Sequence, residues 1–209
     1  MLFNNWKENL EPLLEKYKDN IHPLEYQNTY QLLIMVILSA QDSDANINKI
    51  SLPFFEKYPN IATLSKASSS EISNYITTVE NYQNKSNWLF ETANMIELDK
   101  NIPTNLNGLI ELKGVGRKSA NVILRETNKK AEGIMVDLHV IRVVPRIGLT
   151  PASKDGNKIE KSLMQQLPYE IWSDIGMVFS FLGRDICRPT NPKCHLCPIN
   201  IHCVYFNKL

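Results

Sequence analysis

The first 186 of the 209 residues contain no cysteine, and all four cysteines fall in the last 23. This placement excludes a framework of disulfides spread through a secreted fold. The start of the chain has neither a basic region nor an apolar core segment, so no secretory signal is predicted. The longest apolar run, residues 32–38, is far too short to cross a bilayer. From these absences we expect an intracellular, cytoplasmic protein with no membrane partner.

The chain also lacks the alternating pattern of half-buried strands, and it has no internal repeat or low-complexity tract. Apolar residues recur instead at helical spacing in many short segments, which predicts an all-α fold. The order of these segments favours two helical lobes, one of residues 24–133 and one of 1–23 with 134–209. The main predicted helices cover residues 3–19, 24–39, 43–54, 84–98, 138–147, 156–167 and 170–186.

Charge is nearly balanced overall, at +1, but it is unevenly distributed along the chain. Residues 1–110 carry a net charge of −5, whereas residues 111–209 carry +6. The basic half begins at a glycine-containing turn, which favours an anionic partner at that point. The alternative is a solvated surface with uneven charge and no partner.

That turn lies within residues 112–120, whose sequence is Leu-Lys-Gly-Val-Gly-Arg-Lys-Ser-Ala. Two glycines, Gly114 and Gly116, separate two segments with helical periodicity, so the helices must fold back on each other. The free N–H groups at the start of the second helix suit a phosphate, and Arg117 and Lys118 add positive charge there. The stretch therefore predicts a phosphate clamp that carries a lysine. The alternative is an ordinary helix connection with solvated basic residues.

An acidic residue, Asp137, follows Lys118 by 19 positions, after one helix and a turn. Three apolar residues precede it, so we expect it to be partly buried and to cap the helix that begins at Leu138. An amine and a carboxylate near a phosphate clamp indicate chemistry on a sugar. The amine must be neutral to attack, and a carboxylate stabilises an oxocarbenium-like transition state.

The four cysteines are spaced Cys187-x6-Cys194-x2-Cys197-x5-Cys203, in a segment that contains three prolines. Such a cluster usually binds metal, and either tetrahedral zinc or a cubane iron–sulfur cluster fits four thiolates. The paired Cys-x2-Cys units of a zinc ribbon are missing, which favours iron and sulfide.

Taken together, these motifs resemble the endonuclease III family of helix–hairpin–helix DNA glycosylases. The resemblance rests on residues 112–120, on Val-Asp-Leu-His at 136–139 and on the cysteine spacing. It also includes Leu-Ser-Ala-Gln at 38–41 followed by Asp44, and it runs in order from about residue 24 to 203. It implies two helical lobes with a DNA-binding cleft between them. The helix–hairpin–helix motif would occupy about 105–128, and a [4Fe–4S] cluster would lie in the loop at 187–203.

The resemblance also implies a bifunctional glycosylase and abasic-site lyase of base excision repair. Lys118 would displace the damaged base and form a Schiff base with C1′, β-elimination would nick the strand, and Asp137 would be the catalytic carboxylate. Gln41 would probe the gap left by the flipped nucleotide. The implied partner is double-stranded DNA with damaged or abasic sites, bound by a monomer, at the nucleoid in a prokaryote. The further implied DNA contacts are the N–H groups of Gly114, Val115 and Gly116, together with Arg117 and His139.

The chain departs from the family pattern in the loop implied to recognise the lesion, at Glu80, Asn81 and Tyr82. Residues 79–82 read Val-Glu-Asn-Tyr where an Ile-Gly-Leu-Tyr-like run commonly supplies an apolar wedge. The family implies oxidised pyrimidines as substrates, and the altered loop favours a mismatch or another lesion as the alternative. A non-catalytic DNA-structure binder would be expected to lack Lys118 or Asp137. Smaller departures are Lys113, Leu138, Pro145 and Leu182.

Overall fold

The computed structural model describes residues 6–208, with side chains from residue 8 onward. This part of the chain contains eleven α-helices and no β-strand, which confirms the all-α class. None of its helices combines the length and the hydropathy needed to span a bilayer. The helices are α1 Trp6–Tyr17, α2 Thr29–Leu38, α3 Asp44–Lys57, α4 Ile61–Leu64, α5 Ser69–Tyr75, α6 Tyr82–Ile96, α7 Leu106–Glu111, α8 Arg117–Glu126, α9 Leu138–Ile147, α10 Gly156–Gln166 and α11 Trp172–Asp185.

The described residues form two compact units. One unit is His22–Lys130 and contains α2 to α8, and the other contains residues 6–21 and 131–208. The lobe boundaries expected from the sequence, at residues 24 and 134, stay a prediction. Residues 3–5 of the first predicted helix, like the other residues before 6 and Leu209, lie outside the described residues.

Helix α2 is the core of the unit His22–Lys130, because every residue from 32 to 38 is buried. It packs against α3, α6 and α8, as a helix that is apolar on most sides must do. The helix begins at Thr29 rather than near residue 24, because the side chain of Asn28 accepts a hydrogen bond from Gln31 N and caps it. Leu24 is buried all the same, in the extended segment that precedes the cap.

A charged side chain closes the other end of α2. Lys85 on α6 is only 1% exposed, and its ammonium donates to the carbonyls of Leu38, at 2.7 Å, and Ala40, at 2.5 Å. The last carbonyls of a helix have no partner within the helix, so a buried cation satisfies them and complements the helix dipole. Burial lowers the pKa of Lys85, and the nearby carboxylates of Asp42 and Glu80 act in the opposite direction. The contact holds α6 and the end of α2 together.

In the other unit, α11 packs along α9 and also against α1. The face of α11 toward residues 135–143 carries three small residues at helical spacing, Gly176, Ser180 and Gly183. A Cβ built on Gly176 would lie 2.4 Å from the carbonyl oxygen of Met135, and one on Gly183 would lie 2.8 Å from Cβ of His139. Only glycine permits this approach, which brings Ser180 close to the segment that contains Asp137.

We expect Gly176→Ala to destabilise the protein, because the added methyl group would collide with backbone that cannot move independently. Overpacking of this kind typically costs about 1–3 kcal/mol, and urea denaturation measures it. Gly156→Ala is the matched control, since its Cβ would lie 3.6 Å from the nearest atom, an ordinary contact. Equal free energies of unfolding for both variants would contradict the close approach of α11.

Candidate functional site

The glycine turn has the conformation that its sequence predicts. Gly114 has a φ of +80°, and a Cβ at this position would lie 2.8 Å from Trp88 Cε3 and 3.0 Å from Ile37 Cγ2. Glycine is required here twice, by the left-handed backbone and by the close packing on α6 and α2. The turn is thereby fixed to the core of its unit.

Val115, one of the phosphate contacts that the resemblance implied, uses its N–H group inside the turn. Its N–H donates to the carbonyl of Leu112 at 3.1 Å, and its side chain is 5% exposed. That N–H group closes the turn, and a phosphate contact by Val115 stays a prediction, alongside Gly114, Gly116 and the first turn of α8.

Helix α8 begins directly after Gly116, which is its N-cap residue and has no side chain to cap it. No heavy atom of the described residues lies within 4 Å of a Cβ built there, so the surface in front of the helix start is open. Lys118, the second residue of α8, is exposed, and Arg117 is half-buried. The open N-terminus, its dipole and two cations form a site that suits an anion.

His22 is a neighbour of this site that the sequence analysis missed. Burial lowers its pKa to about 4; the carboxylates of Glu126 and Asp44 oppose the shift, and the positive charges of Lys118 and Arg125 reinforce it. Its Nδ1 accepts a hydrogen bond from Leu24 N at 3.1 Å. The imidazole is therefore neutral at pH 7 and lies within electrostatic range of Lys118.

Asp137 is held by three hydrogen bonds within the other unit. Its Oδ1 accepts from the N–H groups of His139, at 2.8 Å, and Val140, at 2.9 Å, which confirms the predicted N-cap of α9. Its Oδ2 accepts from the hydroxyl of Ser180 at 2.6 Å, and Ser180 is 1% exposed. The carboxylate is thus fixed in orientation while remaining half-buried. Ser180 was not predicted, because nothing in the local sequence indicates a contact across 43 positions.

His139 and Arg142 connect this segment to the cysteine loop. Nη2 of Arg142 lies 3.2 Å from Nδ1 of His139 and donates to the carbonyl of Gly183 at 2.9 Å. Its Nε donates to the carbonyl of Cys187 at 3.1 Å. The start of α9, the end of α11 and the first cysteine are therefore tied together by one guanidinium.

The four cysteines line one pocket with about 330 Å³ of empty space, counting the part open to solvent. Apart from Asn200, the rest of the lining is apolar or aromatic: Ile147, Leu182, Ile186, Tyr205 and Phe206. Nevertheless, within residues 6–208 no three His, Cys, Asp or Glu side chains are placed to hold a single metal ion. Four thiols around one cavity are a donor set that can hold either an iron–sulfur cluster or a zinc ion.

The surroundings of two of the four thiols, Cys194 and Cys197, disfavour ionisation. Burial raises the pKa of the Cys197 thiol to about 11; a backbone N–H at Ile199 opposes this, and the other three cysteines add to it. Burial likewise raises the pKa of Cys194. Since metal binding replaces such protons, the donor set suits a metal cofactor rather than free thiolates.

Arg146 on α9 organises the loop and was not predicted. Its guanidinium donates to the carbonyls of Arg188, at 2.7 Å, and Pro189, at 3.2 Å, and lies 3.6 Å from Sγ of Cys187. It also lies over the ring of Tyr205, 4.8 Å from the ring centroid. One side chain therefore holds both ends of the cysteine loop.

Gln41 and the 79–82 loop both belong to the unit His22–Lys130. Gln41 is exposed and has a φ of +61°, and Asn81 is exposed with a φ of +57°. Left-handed backbone is uncommon for residues other than glycine and is enriched at functional sites. Glu80 is also exposed, and Tyr82 begins α6.

Known proteins match this chain over most of its length. The family described as HhH-GPD superfamily base excision DNA repair protein matches residues 34–169. Endonuclease III of Synechocystis sp. is 35% identical over 183 residues, covering 84% of this chain and 83% of that protein. The Bacillus subtilis endonuclease III is 33% identical over 178 residues, covering 84% and 81%.

Solved structures show the same fold. A trapped endonuclease III–DNA covalent intermediate superimposes with a TM-score of 0.86 at 32% identity, covering 97% of this chain and 96% of that one. A thermostable thymine-DNA glycosylase gives a TM-score of 0.83 at 23% identity, covering 97% of each chain. The second likeness supports the fold alone.

We expect Gly114→Ala and Gly116→Ala to differ sharply in stability. The first forces an L-residue into left-handed backbone against Trp88, which should cost about 2 kcal/mol or more. The second adds a methyl group in open space at a φ of −92°, and it should change the free energy of unfolding by less than about 1 kcal/mol. Chemical denaturation of the two variants measures this, and equal losses would contradict the packing of the turn.

Proposed function

The chain belongs to the endonuclease III family of the HhH-GPD superfamily, and from that premise we propose that it is a DNA glycosylase and abasic-site lyase of base excision repair. The observation that carries the proposal is Lys118, exposed at the open start of α8 directly after a turn that only glycine can form. An amine next to the open start of a helix supports the proposal, because chemistry on a nucleotide requires both a nucleophile and a phosphate contact.

In the proposed reaction, the neutral amine of Lys118 attacks C1′ of the damaged nucleotide. The C1′–N bond breaks and its electron pair leaves with the base, which takes up a proton. The Lys118 nitrogen, now bonded to C1′, loses a proton; the C1′–O4′ bond then breaks and O4′ takes up a proton, which gives the Schiff base. Loss of a proton from C2′ expels the 3′ phosphate, and water then releases Lys118. The positive end of the α8 dipole and the adjacent Arg117 favour the neutral amine.

Asp137 is the proposed catalytic carboxylate. Positive charge develops at C1′ as the base departs, and a fixed anion stabilises that charge without having to reorganise. The three hydrogen bonds to Asp137 supply this fixity, because they hold both of its oxygens. Ser180, which contacts one of those oxygens, is the proposed positioning residue.

The N–H groups of Gly114 and Gly116 and the first turn of α8 would hold a backbone phosphate. Such contacts position the duplex without reading its sequence. Arg117 and His139 are proposed as further DNA contacts, and Gln41 as the residue that enters the gap left by nucleotide flipping. His139 would act from a position fixed by Arg142.

The loop of Glu80, Asn81 and Tyr82 is proposed to select the base. Oxidised pyrimidines are the leading substrates. A mismatch or another lesion is the alternative, since Asn81 is polar where the family commonly has an apolar wedge and Glu80 would repel phosphate if it faced DNA. A panel of oxidised, deaminated and mismatched duplexes separates the two. A non-catalytic DNA-structure binder is disfavoured, because Lys118 and Asp137 are both present.

The proposed cofactor is a [4Fe–4S] cluster bound by Cys187, Cys194, Cys197 and Cys203, with structural zinc as the alternative. When bound, the cluster supplies a rigid crosslink among four points of the loop. The proposed partner is double-stranded DNA with damaged or abasic sites, bound by one copy of the chain, and the proposed location in a prokaryote is the cytoplasm at the nucleoid.

Borohydride should trap a covalent complex between the chain and abasic DNA, because it reduces the Schiff base to a stable amine. Lys118→Gln should form no such complex, whereas Lys113→Gln, which removes the same charge from an exposed position in the turn, should still form it. Asp137→Asn should slow base removal by about 10²–10⁴-fold. Trapping by Lys118→Gln at the parental level would show that another group is the nucleophile.

The purified chain should be brown, absorb visible light and contain about four iron atoms and four sulfides. A colourless protein with one zinc ion would establish the alternative. Arg146→Ala should lose the cofactor faster to a chelator, because it releases the carbonyls of Arg188 and Pro189. Arg188→Ala is the control, since it removes a guanidinium but keeps the carbonyl that Arg146 binds, and equal rates of loss would contradict the role of Arg146.

A further inference from the structure

Asp42, a half-buried residue next to Gln41, connects its own segment with the segment of Glu80, which lies far away in the sequence. Its Oδ2 accepts a hydrogen bond from the N–H of Glu80 at 2.8 Å, across 38 positions. Its Oδ1 accepts from Ser43 N at 2.7 Å and from the side chain of Asn46 at 3.0 Å. Both carboxylate oxygens therefore accept hydrogen bonds, Oδ2 from the segment of Glu80 and Oδ1 from the segment to which Asp42 itself belongs.

The side chain of Asn46 provides a second connection between the same two segments. Its Nδ2 donates to the carbonyl of Thr78 at 3.1 Å, and its Oδ1 accepts from the Thr78 hydroxyl at 3.3 Å. Two side chains, Asp42 just before α3 and Asn46 in its first turn, thus bind residues 78–80 on both sides of Val79, which is buried. A single hydrogen bond at a partly exposed site is weak, but a cluster of five that share partners acts together.

Lys85 provides a further contact between the same two segments. It lies on α6, three residues after Tyr82, and binds the carbonyls of Leu38 and Ala40 that lead into Gln41. Burial alone would raise the pKa of Asp42, but the hydrogen bonds from Glu80, Asn46 and Ser43, together with the charge of Lys85, hold it below its ordinary value. The carboxylate is ionised at neutral pH and keeps its bonds.

The backbone is unusual on each side of this connection. Gln41 directly precedes Asp42 and is left-handed, and Asn81 directly follows Glu80 and is also left-handed. Strained backbone of this kind persists only where surrounding contacts determine it. Asp42 supplies such a contact to both segments.

We propose that Asp42 is a positioning residue that holds Gln41 and the loop of Glu80, Asn81 and Tyr82 in a fixed arrangement, so that the two segments contact the duplex together. This inference rests on the proposed function, because it assumes that both segments contact DNA. Its consequence is that the residue entering the gap and the residues selecting the base cannot move independently, so a change in one alters the effect of the other.

The physical connection is tested first, without DNA, by amide hydrogen exchange on the full chain. In Asp42→Ala the N–H of Glu80 loses its acceptor and should exchange about fivefold faster or more. The N–H of Tyr82, which donates to the carbonyl of Val79, should keep its rate. Asp99→Ala is the matched control, because Asp99 joins two other segments of the same unit through the N–H of Ile61. An unchanged rate at Glu80 would overturn the proposal.

The coupling is tested next by binding to a duplex that contains a stable abasic-site analogue. With Asp42 present, the loss of affinity in the double variant Gln41→Ala with Asn81→Ala should differ at least about threefold from the product of the two single losses. In the Asp42→Ala background, the affinity loss of the double variant should equal the product of the two single losses. In the Asp99→Ala background, it should still differ from that product.

The proposal would be overturned if the coupling persisted in the Asp42→Ala background. It would also be overturned if the two single losses of affinity simply multiplied in the parent chain. If the parent chain does not bind the duplex at all, the proposed function is wrong, and so is the role proposed for Asp42. The exchange result at Glu80 then still shows whether the connection through Asp42 exists.

Discussion

The backbone of Gly114 is the constraint on which the proposed active site depends. Its left-handed conformation and its contact with Trp88 and Ile37 attach the turn to α6 and α2, and α2 is the buried core of its unit. The start of α8 is consequently anchored to the core, although it is open to solvent. A lysine two residues into that helix is presented in a fixed place, which is what catalysis by a positioned nucleophile requires.

The unit that contains Asp137 achieves the same result with different residues. Glycines in α11 bring that helix against residues 135–139, and Ser180 between them reaches the carboxylate. Arg142 and Arg146 then connect α9 to the cysteine loop, so a cofactor in that loop would stiffen the helix that Asp137 caps. In both units, the absence of a side chain at a glycine determines where a residue of the proposed active site lies.

Much of this could be predicted, because the signals are local in the sequence. The glycine turn, the cap at Asp137 and the cysteine spacing each depend on residues within about 20 positions, and so does helical periodicity. Ser180, Lys85, Asp42 and Arg146 were missed because their partners lie 38 to 47 positions away, where only the fold brings them together. The start of α2 was placed too early because Leu24 is buried without being helical. The phosphate contact expected of Val115 stays a prediction, and its N–H bond within the turn could not be read from the sequence.

The central claim is that the geometry of the turn makes Lys118 the nucleophile. Borohydride-trapped complexes with abasic DNA, digested with a protease and analysed by mass spectrometry, identify the modified residue directly. We predict that the reduced sugar is attached to Nζ of Lys118. Attachment to Lys113, to Lys85 or to the amino terminus, with Lys118 unmodified, would contradict the account.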